Sequence, residues 1–119
     1  MAKNPALAAA SIEIFQVAVG AEKGRATFHV TDVDYSNPAE NRGTSSLLVH
    51  RGLKAKTGVE VEVVRLDECI LNKCPECQRV GLWIDVEGAE HLVVEGMSGI
   101  RDRVAVIHVE TAIVPFRDG

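Results

Sequence analysis

The sequence predicts a small α/β domain, and three observations carry that prediction. Leu82, Trp83 and Ile84 form an unbroken apolar run that ends abruptly in Asp85, Glu87 and Gly88. Such a run suits a strand buried on both faces, as in a parallel sheet. From Ala89 the period changes, with Ala89, Leu92, Val93, Met97 and Ile100 recurring at helical spacing. A second apolar run, Val104 to Val109, then ends in Glu110. Strand, helix and strand make a βαβ unit, with Asp85 and Glu110 at the carboxyl ends of its strands. In open α/β sheets the ligand crevice lies there.

At 119 residues the chain fits one domain, spanning 1–119, that buries a modest core. A formal net charge of −4 argues against a nucleic-acid surface. No apolar run approaches the roughly 20 residues of a membrane span. The start, Met1 to Ala10, carries only Lys3 as a positive charge and makes a poor signal peptide. Three cysteines do not make a disulfide framework. A cytoplasmic protein with reduced thiols is the expectation.

The elements follow in order. Asn4-Pro5 reads as an N-cap before a short helix, Ala6 to Ala10. Ile12 to Val19 reads as a strand. Gly20 and Gly24 bracket a turn, and Arg25 to Thr31 alternates, with Ala26, Phe28 and Val30 on the apolar side. The two strands are expected to form a hairpin. Asp32 to Ser46 is polar and rich in turn residues, a long loop of the kind that is often functional. Leu47 to His50 reads as a short strand and Arg51 to Gly58 as a basic connector. Val59 to Leu66 alternates as a half-exposed strand, and Asp67 can start a helix over Leu66 to Leu71. Lys73 to Arg79 turns around Pro75, and Pro115 ends regular structure.

Four groups of residues are candidates for chemistry. Asp85, Glu87, Glu90 and Glu110 would form an acidic rim able to accept a substrate proton, bind a cation or hold a polar ligand. Acids in a first helical turn also complement the helix dipole, and Glu90 fits that structural role better than Asp85, which sits on a strand end. Packed carboxylates need a compensating charge, either a divalent cation or an arginine such as Arg51 or Arg79. Cys74-Pro-Glu-Cys77 resembles half a zinc knuckle, but a structural site needs four ligands and no second pair follows. A plain turn is the simpler reading, with Cys69 a bystander. Among the histidines, His108 lies two residues from Glu110 and is the best catalytic candidate. His29, His50 and His91 have no evident partner. Gly43-Thr-Ser-Ser-Leu47 can close over an anion or ligand, though the pattern is short.

Trp83-Ile-Asp-Val-Glu-Gly-Ala-Glu90, followed by Val94-Glu-Gly-Met97, resembles the signature of the FkbM-type family of S-adenosylmethionine-dependent methyltransferases. Val17-Ala-Val-Gly20 with Gly24, the Ser45-Ser46-Leu47 loop, Val64-Arg-Leu-Asp-Glu68 and Val109-Glu110 resemble further family segments in the family's order. The resemblance implies a partial Rossmann-like, class I methyltransferase sheet with added antiparallel strands. The family's glycine-rich cofactor loop and ribose-binding acid would precede the first residues, so the similarity is to the second half of that domain. It implies S-adenosylmethionine as cofactor, with Gln16, Val17 and Ala18 at its adenine side. Asp85, Glu110 and His108 would be catalytic, and Ser45, Ser46 and Glu87 would face the substrate. The implied reaction is O-methylation of a sugar or small-metabolite hydroxyl. The alternative is a non-catalytic remnant that binds a small ligand or a protein. With preceding strands absent, a sheet edge would be uncovered, so a homo-oligomer, most simply a two-fold dimer, is expected.

Overall fold

The computed structural model describes residues 11–31, 45–50, 55–111 and 117–118. The strands are β1 (Ala18–Val19), β2 (Gly24–Thr31), β3 (Val49–His50), β4 (Ala55–Val64), β5 (Val80–Ile84), β6 (Val104–Val109) and β7 (Arg117–Asp118). The helices are α1 (Leu66–Lys73) and α2 (Glu90–Gly96), and a 3-10 segment, Ser98–Arg103, follows α2. The predicted helix over 6–10, most of the loop over 32–46 including Gly43, and Arg51 lie outside the described residues.

The described strands form three small sheets, β1-β4-β2, β3-β7 and β5-β6. β2 and β4 run antiparallel from Gly24↔Val63 to Thr31↔Ala55, while β1 joins the other edge of β4 in parallel. The predicted hairpin is therefore corrected, because β4 lies between the two strands expected to pair. Of Ile12 to Val19 only the last two residues enter a ladder, and Ile12 and Ile14 are exposed. β4 is longer than its alternation indicated and takes in Ala55 to Gly58, read as connector. Alternation marks only residues with one wet face, and a lysine, a threonine and a glycine in a ladder interrupt that signal. β7 resumes regular structure beyond Pro115.

β5 and β6 pair in parallel with α2 between them in sequence, as the βαβ reading requires. The core gathers Ile84, Ala89, Val93, Met97 and Ile100 with Val63. These are mostly the residues of the helical period. That period is shared by two elements, since α2 closes at Gly96 and the 3-10 turn carries Ile100. Burial on both faces is corrected. Ile84 is buried, but Trp83 on the opposite face is exposed, and β6, also expected to be buried, is exposed on both faces, at Val106 and His108 and at Ile107 and Val109. An apolar run reports strand and hydrophobicity, not whether a second layer covers it.

α1 runs on to Lys73, and Arg65, not Asp67, occupies its N-cap position. Asp67 is buried in the first turn. Its carboxylate accepts from Arg65 Nε (3.1 Å) and Nη2 (2.7 Å), and from the backbone N–H groups of Glu68 and Gly99 (each 2.8 Å). Arg65 also donates to the Ala21 carbonyl and to Ser98 Oγ. One ion pair thus fastens the end of β4, the turn after β1 and the 3-10 segment. The Arg65 guanidinium holds the Asp67 carboxyl below the usual aspartate range, against the opposing effect of burial, and Asp67 raises Arg65 in turn.

The expectation of reduced thiols is corrected at one place. Cys74 and Cys77 are joined in a disulfide, while Cys69 is free. The turn after α1 brings their Cα atoms to 5.3 Å, inside the range a disulfide spans. Arg103 donates to the Pro75 and Cys77 carbonyls (2.8 and 3.1 Å) and ties this turn to the start of β6. Among the described residues no helix is long and apolar enough to cross a membrane.

Candidate functional site

The acidic loop is built by its own sequence. Past Ile84 the chain has no ladder to follow, and Glu87 and Gly88 take positive φ angles of 54° and 99°. For glycine this is free. For Glu87 the left-handed conformation costs about 1–2 kcal/mol, which neighbours must offset. Glu90 supplies part of that. Its carboxylate reaches back from the first turn of α2 and accepts from the N–H groups of Val86 (3.3 Å) and Gly88 (3.0 Å). Glu90 is thus engaged in holding the loop, the structural role weighed for it.

Ser46 holds the loop from the other side. It is 1% exposed, its hydroxyl donates to the Val86 carbonyl (3.3 Å), and the same oxygen accepts from Leu48 N–H (3.2 Å). Its backbone exchanges two hydrogen bonds with His29 of β2 (2.7 and 3.1 Å). Ser46 is therefore a pin behind the site. Ser46→Ala removes the buried hydroxyl that bridges the Val86 carbonyl and the Leu48 N–H, and is expected to lower stability by about 1 kcal/mol in urea unfolding.

In front of this pin lies a cleft of about 290 Å³. Val17, Ala18 and Val19 line one side, Phe28, Ser45 and Leu47 another, and Asp85, Val86, Glu87 and Ala89 close it. Five residues singled out in the sequence thus meet: Val17, Ala18, Ser45, Asp85 and Glu87. Gln16 is exposed just outside, and Ser46 stands behind. Glu110 and His108 do not line the cleft. Glu110 follows Val109, the ladder partner of Ile84, so it shares the strand-end rim with Asp85, and its N–H donates to the Ile84 carbonyl (3.3 Å). His108 stacks on Trp83.

The apolar walls Val19, Phe28 and Leu47 were not singled out, although the alternation in Arg25–Thr31 had already put Phe28 on the apolar side. Neither Arg65 nor the exposed Trp83–His108 stack was anticipated. Among the described residues no group of three or more His, Cys, Asp or Glu side chains is placed to hold a metal ion. Among the described residues His29 and His91 join no such cluster and the exposed Arg79 makes no ion pair, while Cys69 lines a separate cleft with Phe15, Glu68 and Lys73.

A family model described as the Methyltransferase FkbM domain matches residues 2–117. No curated protein and no solved structure matches the chain.

Proposed function

Because the chain belongs to the FkbM methyltransferase family, we propose that its cleft serves S-adenosylmethionine-dependent O-methylation of a hydroxyl on a sugar or small metabolite. The observation that carries this reading is the convergence of Val17, Ala18, Ser45, Asp85 and Glu87, from separate segments, on one cleft. The donor set fits the cofactor. Val17, Val19, Phe28 and Leu47 offer an apolar wall suited to a purine, Ser45 offers a hydroxyl, and Asp85 and Glu87 offer negative charge to a sulfonium and an amino group. The volume, about 290 Å³, stands at the lower end of small-molecule sites, which run from about 300 Å³ upward. The described residues therefore suit part of the cofactor better than all of it. In this reading the domain is of the Rossmann-like methyltransferase type, with β5, α2 and β6 as its central unit.

When bound, S-adenosylmethionine supplies an electrophilic methyl group on positively charged sulfur. Asp85 stands at the strand end, inside the cleft lining and exposed to the solvent side from which an acceptor arrives. Its carboxylate accepts the acceptor's hydroxyl proton and orients that oxygen. Glu87, held in its left-handed turn by Glu90 and by the loop Ser46 pins, keeps the second charge at a fixed place.

Calorimetric titration with S-adenosylmethionine tests the reading, with a dissociation constant below about 100 μM, about −5.5 kcal/mol, as the expected result. Asp85→Asn is expected to weaken that response while changing stability by less than about 0.5 kcal/mol, as for an exposed substitution. A melt in which the variant loses stability and leaves the ligand response intact would assign Asp85 to loop capping instead. The cleft's small volume favours a second reading, a binding module with no transfer chemistry. Binding without methylation of any hydroxylated acceptor would select it.

A further inference from the structure

Trp83 is 77% exposed, although its neighbour Ile84 is 4% exposed. The indole is not loose on the surface. It stacks on the His108 ring, centroids 3.8 Å apart and planes 19° from parallel. A register slip between Val80 and Gly81 sets Trp83 opposite His108, where an unbroken ladder would have set it opposite Ile107. Side chains two apart on a strand share a face. Asp85 and Glu110 come one residue after β5 and β6. The alternation carried one step past the strand ends would set Asp85 on the side of Trp83 and Glu110 on the side of His108. The Glu110 N–H closes the last pair, Ile84↔Val109, on the Ile84 carbonyl. Among the described residues neither carboxylate has a hydrogen-bond or ion-pair partner for its side chain.

We infer that this open face of β5 and β6 binds an organic cation of the quaternary ammonium class. The face of an indole ring carries negative electrostatic potential and attracts a cation set over it. Methylated ammonium groups gain most, because their charge is spread over apolar surface that also covers the ring. The two unpaired carboxylates beyond the stack supply the counter-charge. A small inorganic cation gains from the carboxylates alone, and a neutral sugar gains no charge attraction. The site shares Asp85 with the cleft but stands whether or not the cleft takes S-adenosylmethionine.

The chain contains one tryptophan, so its fluorescence reports on Trp83 alone. The full chain is titrated with choline chloride against sodium chloride at equal ionic strength. A saturable change with a millimolar midpoint is expected for choline and none for sodium. The double variant Asp85→Asn, Glu110→Gln is expected to raise the midpoint about tenfold, the loss of two exposed charge contacts. Trp83→Leu is expected to abolish the broadening of the choline methyl proton resonance seen with the native chain. The proposal is overturned by an unsaturating response equal for both salts, by an unchanged midpoint in the double variant, or by equal saturation with glucose. It is overturned too if the change follows protein concentration instead of choline, since that marks a second copy on the face.

Discussion

Replacing Asp67 by alanine is expected to lower the unfolding free energy by about 3 kcal/mol, a large part of the roughly 5–15 kcal/mol available to a domain. The substitution strands the Arg65 guanidinium and leaves the Gly99 and Glu68 N–H groups without their acceptor. We take the low end of the range for broken buried pairs because the Arg65 side chain keeps 25% of its exposure and can turn to water. Urea unfolding at neutral pH measures it. The pH dependence gives an independent check. Asp67 titrates lower in the folded chain than in the unfolded one, chiefly through its bond with Arg65. Its contribution is complete above the ordinary aspartate pKa of about 3.9 and is lost as pH falls from there through the lower native value. Asp67→Asn is expected to start less stable and to lack that part of the acid slope. An identical slope in both proteins would remove the pair from the account of acid unfolding.

Gly96→Ala is expected to be the second severe substitution, lowering stability by about 2–3 kcal/mol in thermal or urea unfolding. In an exposed helix the same change gains about 1 kcal/mol. Here a Cβ would collide with the Gly20 carbonyl oxygen, and backbone cannot yield as a flexible side chain can. Gly96 ends α2 against the turn that follows the cleft-lining Val17, Ala18 and Val19, so the collision would push that turn away from the helix. Altered ligand response alongside the stability loss is therefore expected. A neutral or stabilising result would show that the contact is looser than the close approach implies.

Legibility in the sequence followed the range of the forces. The β5–α2–β6 unit was readable because each of its parts announces itself within a dozen residues: the run at Leu82–Ile84, the period from Ala89, the run at Val104–Val109. The acidic loop was readable because Gly88 and the sudden charge at Asp85 mark a strand end. Pairing was not readable where it depended on distant segments. Nothing local tells Ile12–Val19 that β4 will lie between it and β2, and nothing local fixes the slip that sets Trp83 beside His108. Asp67 was visible as a helix-start residue, but its bond to Gly99 joins residues that only the fold brings together. The cleft was half legible for the same reason. Ala18, Ser45 and Asp85 could each be named from a motif, whereas Phe28 and Leu47, which supply its walls, look like any apolar residue until the strands are placed.

The position of β4 also bears on the order in which the chain assembles. β1 and β2 are neighbours in sequence, joined by the short turn over 20–23, yet each needs β4 as its ladder partner. β4 emerges from synthesis well after both, so neither can complete its hydrogen bonds when it first appears. The early segment must wait, and its contacts close a loop that includes all of 32–54. Such non-local closure slows folding relative to a sheet built from adjacent hairpins. The Gly24↔Val63 end of the β2–β4 ladder lies beside the β1 contacts, Ala18↔Val63 and Val19↔Val64, so one small region must gather three passes of the chain at once. Amides of Gly20 and of the β2–β4 ladder near Val63 should accordingly gain protection from exchange together and late in refolding, after those of α1.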